Sequence, residues 1–246
     1  MIKISLVSYS NTLPFKYGIE QSEYLNKYAR VFYDNPAECA NKLINNKVDI
    51  GLIPVAAMQI SPNFYRISDY CLAAKEKVKS VLLLSDEPID KLKRIYLDYQ
   101  SMTSVNLLKI LMIKYWKKTF ELINTEQGYE QKINGKNGGI MIGDRALNLQ
   151  NYYKYSYDLA EEWFNFTGLP AVFAVWVANK NIDKNFIKKF NASLKIGVDN
   201  IPDVIAKENK QDYRFDLEDY LLNYIDYKLD NKKHKSIDLF LDFLDF

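Results

Sequence analysis

The chain has 246 residues, of which 48% are hydrophobic and 26% charged, the balance of an ordinary globular protein with room for one large domain or two lobes. Its formal net charge of +2 argues against a nucleic-acid or membrane partner. The first residues lack the features of a secretion signal, and no apolar run approaches the roughly 20 residues of a membrane helix. We therefore expect a cytoplasmic protein.

The first part of the chain alternates between strand-like and helix-like patterns. We predict strands and helices in turn at residues 3–7, 14 onward, 30–34, 35–46 and 48–54. The second helix has a complete start signal, because Asn35 can cap it, Pro36 takes the first position and Glu38 follows three residues after the cap. Alternation of this kind predicts parallel sheets with crossover helices.

The pattern repeats after Pro88, with predicted elements at residues 94–99, 104–118, 120–124 and 138–144. The tail is predicted to be helical around residues 183–197, 201–208, 215–227 and 236–245. Two long apolar segments, 71–85 and 169–180, suit a chain that crosses twice between lobes. We predict an α/β fold of two lobes with a central cleft: residues 1–88 plus 177–246, residues 89–176, and hinge crossings near 80–88 and 170–178.

Three loops follow predicted strands and carry small polar side chains: SYSNTLPF (8–15), DYQSMTSVNLL (98–108) and IGDRAL (142–147). Ligands of α/β folds bind at the carboxyl ends of strands, where helix N-termini offer free N–H groups to anions. No Asp or Glu occurs from Lys3 to Ile19 or from Tyr99 to Thr119, so no acid competes there. Ser and Thr are also ordinary helix caps. The residues alone predict a cleft for a small carboxylate or phosphate, without a phosphate-loop motif.

Several single residues have two interpretations. Asp144 is either a helix cap or a cleft residue that handles a proton. Ser80 is either an ordinary structural residue of a strand or, if that strand lines the cleft, a ligand-binding residue. Lys16 and Arg145 are the cations nearest to the loops, and a solvated position is the default for both.

The two cysteines, the histidine and two of the tryptophans give little indication of a functional site. Cys39 and Cys71 have no CxxC or histidine partner, so neither zinc nor a disulfide framework is predicted. His234 lies in the basic run NKKHKS, which is typical of a solvated turn rather than of a general base. Trp163 and Trp176 flank apolar segments and are predicted to be core.

Seven motifs, in order and spacing, resemble the chorismate dehydratase (MqnA) family of the futalosine route to menaquinone: SYSNTLPF, DIGLIP, VKSVLLLS, LDYQSMTSVNLL, MIGDRAL, DLAEEW and TGLPAVFAVW. The resemblance runs from residue 2 to about residue 180. It implies a type II periplasmic-binding-protein fold used as an enzyme, which eliminates water from chorismate to give 3-[(1-carboxyvinyl)oxy]benzoate. It implies no metal and no organic cofactor.

The resemblance also assigns roles to residues. Asn11 would hold the departing hydroxyl or position the ring, as the catalytic residue. The substrate-binding residues would be Ser10, Thr12, Ser80, Ser101, Thr103, Ser104, Gly143 and Asp144. A dicarboxylate needs two anion sites, and a carboxylate of the substrate itself could remove the ring proton.

Three positions depart from the family pattern. Leucine is common where Ser10 stands, arginine where Met102 stands, and phenylalanine where Ala171 stands. Without that arginine, the protein must bind through N–H groups and hydroxyls or recruit Lys16 or Arg145. Ala171 would enlarge the pocket.

Two other functions stay open at this point. One is an enzyme similar to 1,4-dihydroxy-6-naphthoate synthase, and the other is a non-catalytic protein of the same fold that binds a small carboxylate. We expect a small-molecule substrate and neither a nucleic acid nor a membrane as partner. The sequence leaves the oligomeric state open.

Overall fold

The computed structural model describes residues 1–208 and 213–244 and has two β-sheets with helices packed against them. The predicted two-lobed α/β class is confirmed. The strands are β1 (Ile2–Val7), β2 (Ala29–Asp34), β3 (Ile50–Pro54), β4 (Tyr65–Ala74), β5 (Val81–Ser85), β6 (Arg94–Leu97), β7 (Glu121–Asn124), β8 (Asn137–Ile142), β9 (Tyr155–Asp158), β10 (Ala171–Ala178) and β11 (Asp226–Lys228). The α-helices are α1 (Leu13–Glu20), α2 (Glu23–Tyr28), α3 (Pro36–Ile44), α4 (Met102–Ile110), α5 (Gly143–Leu149), α6 (Leu159–Thr167), α7 (Lys184–Asp199), α8 (Ile201–Glu208), α9 (Leu217–Asp219) and α10 (Asn231–Asp242).

Both sheets are mixed rather than purely parallel. The first has the order β11-β4-β10-β3-β1-β2, and β1 runs parallel to β2 and β3. The second has the order β7-β6-β8-β5-β9, and β6 runs parallel to β7 and β8. Antiparallel pairs are made by β5, by β10 and by β4, whose second half lies in the first of the two long apolar segments, and by their neighbours. The prediction of parallel strands is therefore confirmed for the βαβ units and is wrong for the segments next to the crossings.

The lobe boundaries differ from the predicted ones. β5 pairs with β8 and β9 in the second sheet, whereas residues up to 88 were assigned to the first lobe. β10 pairs with β3 and β4 in the first sheet, although most of it was assigned to the second lobe. A buried strand is apolar on both faces, so its pattern does not indicate which sheet it joins. The crossings fall between β4 and β5 and between β9 and β10; residues 209–212 and 245–246 of the predicted first lobe lie outside the described residues.

Local signals placed the helix starts well. Asn35 caps α3, because its Oδ1 accepts a hydrogen bond from the Glu38 N–H at 2.9 Å. Helix α4 begins at Met102, two residues before the prediction, with Ser101 as its cap. It continues in wider turns over Leu111–Trp116 and stops at Lys117, whose φ of 55° is left-handed.

The tail was predicted less well. Residues 226–228 form a strand that pairs with β4, so the predicted helix at 215–227 is wrong at its end. The basic run around His234 begins helix α10 instead of a solvated turn. Lys233 is only 1% exposed, and its ammonium lies 2.7 Å from Asp226 and 2.8 Å from Asp230. A buried lysine is tolerated because both carboxylates pair with it.

The core contains Trp163 and Trp176, each 1% exposed, as predicted. Cys39 and Cys71 are buried free thiols. Within residues 1–208 and 213–244, no helix combines the length and apolar character that crossing a membrane requires. Over the same residues, no group of three or more His, Cys, Asp or Glu side chains is arranged to hold a metal ion.

Candidate functional site

A cavity lies between the two lobes and encloses about 580 Å³ of atom-free space, counting the part open to solvent. Its wall is mostly apolar, as is usual for small-molecule sites. The described residues that line it include none of the charged types and no histidine. Their polar side chains are neutral: Tyr9, Asn11, Ser80, Ser101, Thr103 and Ser104.

Six of the nine predicted site residues line this cavity: Asn11, Ser80, Ser101, Thr103, Ser104 and Gly143. The starts of both acid-free helices therefore reach one shared space. Ser10, Thr12 and Asp144 lie beside the cavity and are not part of its described lining.

The SNT loop forms a 3₁₀ turn, Ser10–Thr12, between β1 and α1. Thr12 is buried, and its hydroxyl lies 2.6 Å from the Val7 carbonyl oxygen and 2.7 Å from that of Tyr9. Thr12 therefore holds the turn instead of a ligand. In contrast, Oδ1 of Asn11 is buried and has no hydrogen-bond partner among the described residues. A buried acceptor without a partner in a cavity wall is available to a ligand.

The start of α4 is capped by its own serine. The Ser101 hydroxyl accepts a hydrogen bond from the Ser104 N–H at 3.2 Å and donates one to the Ser104 hydroxyl at 2.7 Å. The first turn contains no acid, as predicted. The hydroxyls that line the cavity are thus held in place by the helix that carries them.

Four pairs of residues connect the lobes around the cavity. Thr103 of the second lobe accepts a hydrogen bond from the Ala56 N–H at 3.3 Å and donates one to the Phe173 carbonyl at 3.0 Å. The Tyr9 hydroxyl donates to Oε1 of Gln100 at 2.7 Å. The lobes are therefore in direct contact around the cavity.

The fourth pair is Ser10 and Asp144. The Ser10 N–H donates to a carboxylate oxygen of Asp144 at 3.4 Å, which is long for a hydrogen bond. Burial raises the pKa of Asp144, and Ser10 offsets only part of that rise. Asp144 is therefore a partly buried carboxyl at the lobe interface with a raised pKa.

Position 143 requires a glycine, because a side chain would not fit there. Its φ of 60° is left-handed, and its N–H donates to the Ser80 carbonyl at 2.8 Å. A Cβ there would lie 3.2 Å from the Tyr9 ring, closer than ordinary contacts. This glycine lets the tyrosine of the first lobe pack directly on the start of α5.

Both candidate cations have partners elsewhere. Lys16 pairs with Glu208 at 3.4 Å. Arg145 pairs with Asp98 at 2.6 Å and with Glu130 at 2.7 Å. Neither lines the cavity, so the expectation that one of them replaces a missing arginine has no support in this arrangement.

Two of the departures from the family pattern lie away from the cavity. Met102 is 38% exposed and lines an outer recess together with Tyr99 and Asn106. Ala171 borders a separate small cavity, with Trp163 and Phe240 on its walls. The expectation that Ala171 enlarges the ligand pocket has no support in this arrangement, because Ala171 borders the separate cavity, whereas Phe173 and Ala174 line the pocket.

Three tyrosines at the site were missed by sequence reasoning. Tyr9 stands inside the SYSNT motif, so its position next to the proposed ligand loop was a usable signal. Tyr220 donates a hydrogen bond to the Ser80 hydroxyl at 2.7 Å, and Tyr227 donates to the Asn11 carbonyl at 3.1 Å. No local pattern marks these two, since more than a hundred residues separate them from their partners.

Solved structures show where this fold occurs. A structural-genomics protein from Archaeoglobus fulgidus has a TM-score of 0.78 at 12% identity, over 98% of this chain and 96% of that one. The periplasmic aliphatic sulphonate binding protein SsuA from Escherichia coli has a TM-score of 0.60 at 14% identity, over 98% of this chain and 86% of that one. At these identities the likeness concerns the fold, which is that of periplasmic binding proteins.

Relatives found by sequence say more about function than the solved structures do. A chorismate dehydratase from Thermus thermophilus is 26% identical over 191 residues, covering 70% of this chain and 68% of the relative. Another, from Campylobacter jejuni, is 26% identical over 245 residues, covering 96% and 94%. The family model described as menaquinone biosynthesis matches residues 2–245. The chain therefore belongs to the menaquinone biosynthesis family.

Proposed function

We propose that this protein is a chorismate dehydratase, a hydro-lyase that converts chorismate to 3-[(1-carboxyvinyl)oxy]benzoate. The observation that carries the proposal is the neutral cavity between the lobes, which residues at or just before both acid-free helix starts line and whose wall contains the Asn11 amide oxygen, an acceptor without a partner among the described residues. Family membership and the two chorismate dehydratase relatives support the same reaction.

The polar groups of the cavity suit the groups of chorismate. The substrate carries a ring hydroxyl, a ring carboxylate and an enolpyruvyl ether with a second carboxylate. Asn11 offers an acceptor for the hydrogen of the hydroxyl and donors for its oxygen. The Ser104 hydroxyl near the start of α4 accepts from Ser101, so its own proton is available, and together with the helix N–H groups it can hold a carboxylate without a cation.

The proton acceptor in this proposal is the substrate itself. Among the described residues that line the cavity, Tyr9 is the one with a titratable side chain. Burial and the nearby Asp98 raise the pKa of Tyr9, so its hydroxyl stays protonated at neutral pH. Loss of the ring hydrogen and the hydroxyl makes the ring aromatic, so a weak base held close is enough. An analogue without the enolpyruvyl carboxylate should bind and not react. Normal turnover of that analogue would show that this carboxylate is not the base.

The direct test is to mix purified protein with chorismate and follow the loss of the diene absorbance and the appearance of an aromatic product. Wild-type protein should convert chorismate, and Asn11→Ala should bind it without conversion while it keeps a wild-type unfolding curve. Asn45→Ala is a matched control, because the Asn45 amide donates to the Asn41 carbonyl on an exposed helix end. Binding without conversion by the wild type would favour the receptor alternative.

The cytoplasmic location is part of this proposal. Cys39 and Cys71 are both free, which is typical of proteins in a reducing compartment. Fractionation of cells that make the tagged protein should recover it with cytoplasmic markers; recovery in a periplasmic fraction would contradict it.

A further inference from the structure

The C-terminal segment, which none of the recognised motifs includes, reaches the cavity through two tyrosines. Tyr220 is 2% exposed, and Tyr227 is 4% exposed. One hydroxyl contacts the side chain of Ser80 at 2.7 Å, and the other contacts the main chain of Asn11 at 3.1 Å. Both partners line the cavity, one from the first crossing and one from the SNT loop.

The direction of the Tyr220 hydrogen bond determines what Ser80 can do. A tyrosine hydroxyl has one proton, and Tyr220 donates it to the Ser80 oxygen. The Ser80 proton must then point elsewhere, and Ser80 donates to no other described residue. Because Ser80 lines the cavity, its own proton is available to an acceptor inside it.

Asn11 faces the same phenol. The Asn11 side chain lowers the pKa of Tyr220 and so opposes the larger increase that burial causes. Only the amide nitrogen of Asn11 can donate a hydrogen bond to the phenol, which leaves Oδ1, an acceptor without a partner among the described residues, for the cavity that Asn11 lines. One buried phenol therefore interacts with two polar side chains of the cavity wall: Ser80, which keeps its proton as a donor, and Asn11, which keeps its amide oxygen as an acceptor.

The segment that carries Tyr220 is itself fixed to the crossing. The ammonium of Lys79 lies 3.7 Å from the centre of the Tyr224 ring and 3.3 Å from Asp219. The Tyr220 ring packs edge-on against Phe215, at 5.8 Å between ring centres. Tyr220 is thus held on both sides, as a positioning residue must be.

We propose that Tyr220 is a positioning residue of the reaction, which fixes the Ser80 hydroxyl as a donor into the cavity and the Asn11 amide with its oxygen toward the substrate. This inference rests on the proposed function for its kinetic consequence. Tyr220 does not touch the substrate and acts through its two neighbours.

The test is Tyr220→Phe, which removes one oxygen and keeps the ring. Loss of a single hydrogen bond of this kind should lower kcat about tenfold and leave KM within about twofold. Tyr157→Phe is the matched control, because the Tyr157 hydroxyl accepts from the Ile89 N–H at 2.8 Å within the second lobe. It should leave kcat unchanged.

A purely structural role is separated by a double-mutant cycle. Ser80→Ala should lower kcat by a similar factor, and the double variant should lose less than the product of the two single losses, because the two changes remove the same Ser80 contribution. Independent, multiplying losses would overturn the proposal. Ser80→Ala also tests the link if Tyr220→Phe does not fold, because it should shift the same Asn11 amide signals.

A readout without substrate separates failure of this inference from failure of the proposed function. In ¹⁵N-labelled protein, the side-chain amide signals of Asn11 should shift in Tyr220→Phe and stay in place in Tyr157→Phe. Unchanged signals overturn the positioning role whether or not chorismate reacts. If the Asn11 signals shift but the wild-type protein leaves chorismate intact, the positioning role of Tyr220 is supported and the proposed dehydratase activity is rejected.

Discussion

Thr103 connects the lobes most directly, and Thr103→Val tests whether this contact holds the cleft closed. The substitution keeps the shape of the side chain and removes the hydroxyl. It leaves the Ala56 N–H and the Phe173 carbonyl without their partner. Phe173 lies where the register between β10 and β4 shifts, between Val172 and Ala174, so the ladder does not replace the lost bond.

The magnitude follows from burial. Thr103 is 3% exposed, and each buried polar group left unpaired costs about 1–3 kcal/mol. Water from the cleft can reach one side, so we take the lower half of that range for each group. The free energy of unfolding should fall by about 2–4 kcal/mol, and Tm by roughly 4–16 °C in a chain of this length.

Urea unfolding gives the stability, and chorismate turnover gives KM. Thr103→Val should lose stability and raise KM, because the open arrangement gains population. Thr167→Val is the control: its hydroxyl also donates to one carbonyl, of Trp163, and accepts from one N–H, of Leu169, but within the second crossing. It should lose stability with KM unchanged. Wild-type stability and KM in Thr103→Val would refute the reasoning.

Three further predictions concern stability. Gly143→Ala should cost about 1–2 kcal/mol for its left-handed φ alone and should displace the Tyr9 ring; a wild-type Tm would contradict this. Burial raises the pKa of Asp144, so its favourable contribution is present while it is protonated and is lost as the pH rises through the raised value. Asp144→Asn should therefore gain stability relative to wild type between about pH 4 and neutral pH, and a constant difference in urea unfolding would speak against it. Lys233→Met should cost about 3 kcal/mol in guanidinium unfolding, because two carboxylates lose their buried partner; an unchanged midpoint would count against the pairing.

The sequence predicted those features that local patterns determine. The cap at Asn35, the acid-free start of α4 and the six cavity residues all come from short segments in which neighbouring residues carry the signal. Strand and helix periods were enough for the two-lobed class. The roles of the cavity residues stay predictions.

The features that the sequence did not predict depend on distant contacts. The assignment of β5 and β10 to their sheets depends on pairing partners that a continuous apolar run does not specify. Lys233 is buried because Asp226, on another element, meets it. Tyr220 reaches Ser80 across 140 positions, and its own neighbourhood is an ordinary helical pattern.

We propose that the protein eliminates water from chorismate in the cavity that Asn11 lines. The most direct measurement is proton NMR and mass analysis of the product after chorismate is incubated with wild-type protein or with Asn11→Ala. We predict a benzoate that has lost one water and kept the enolpyruvyl ether with the wild type, and intact chorismate with the variant. Intact chorismate with the folded wild-type protein, or equal conversion by both proteins, would contradict the account.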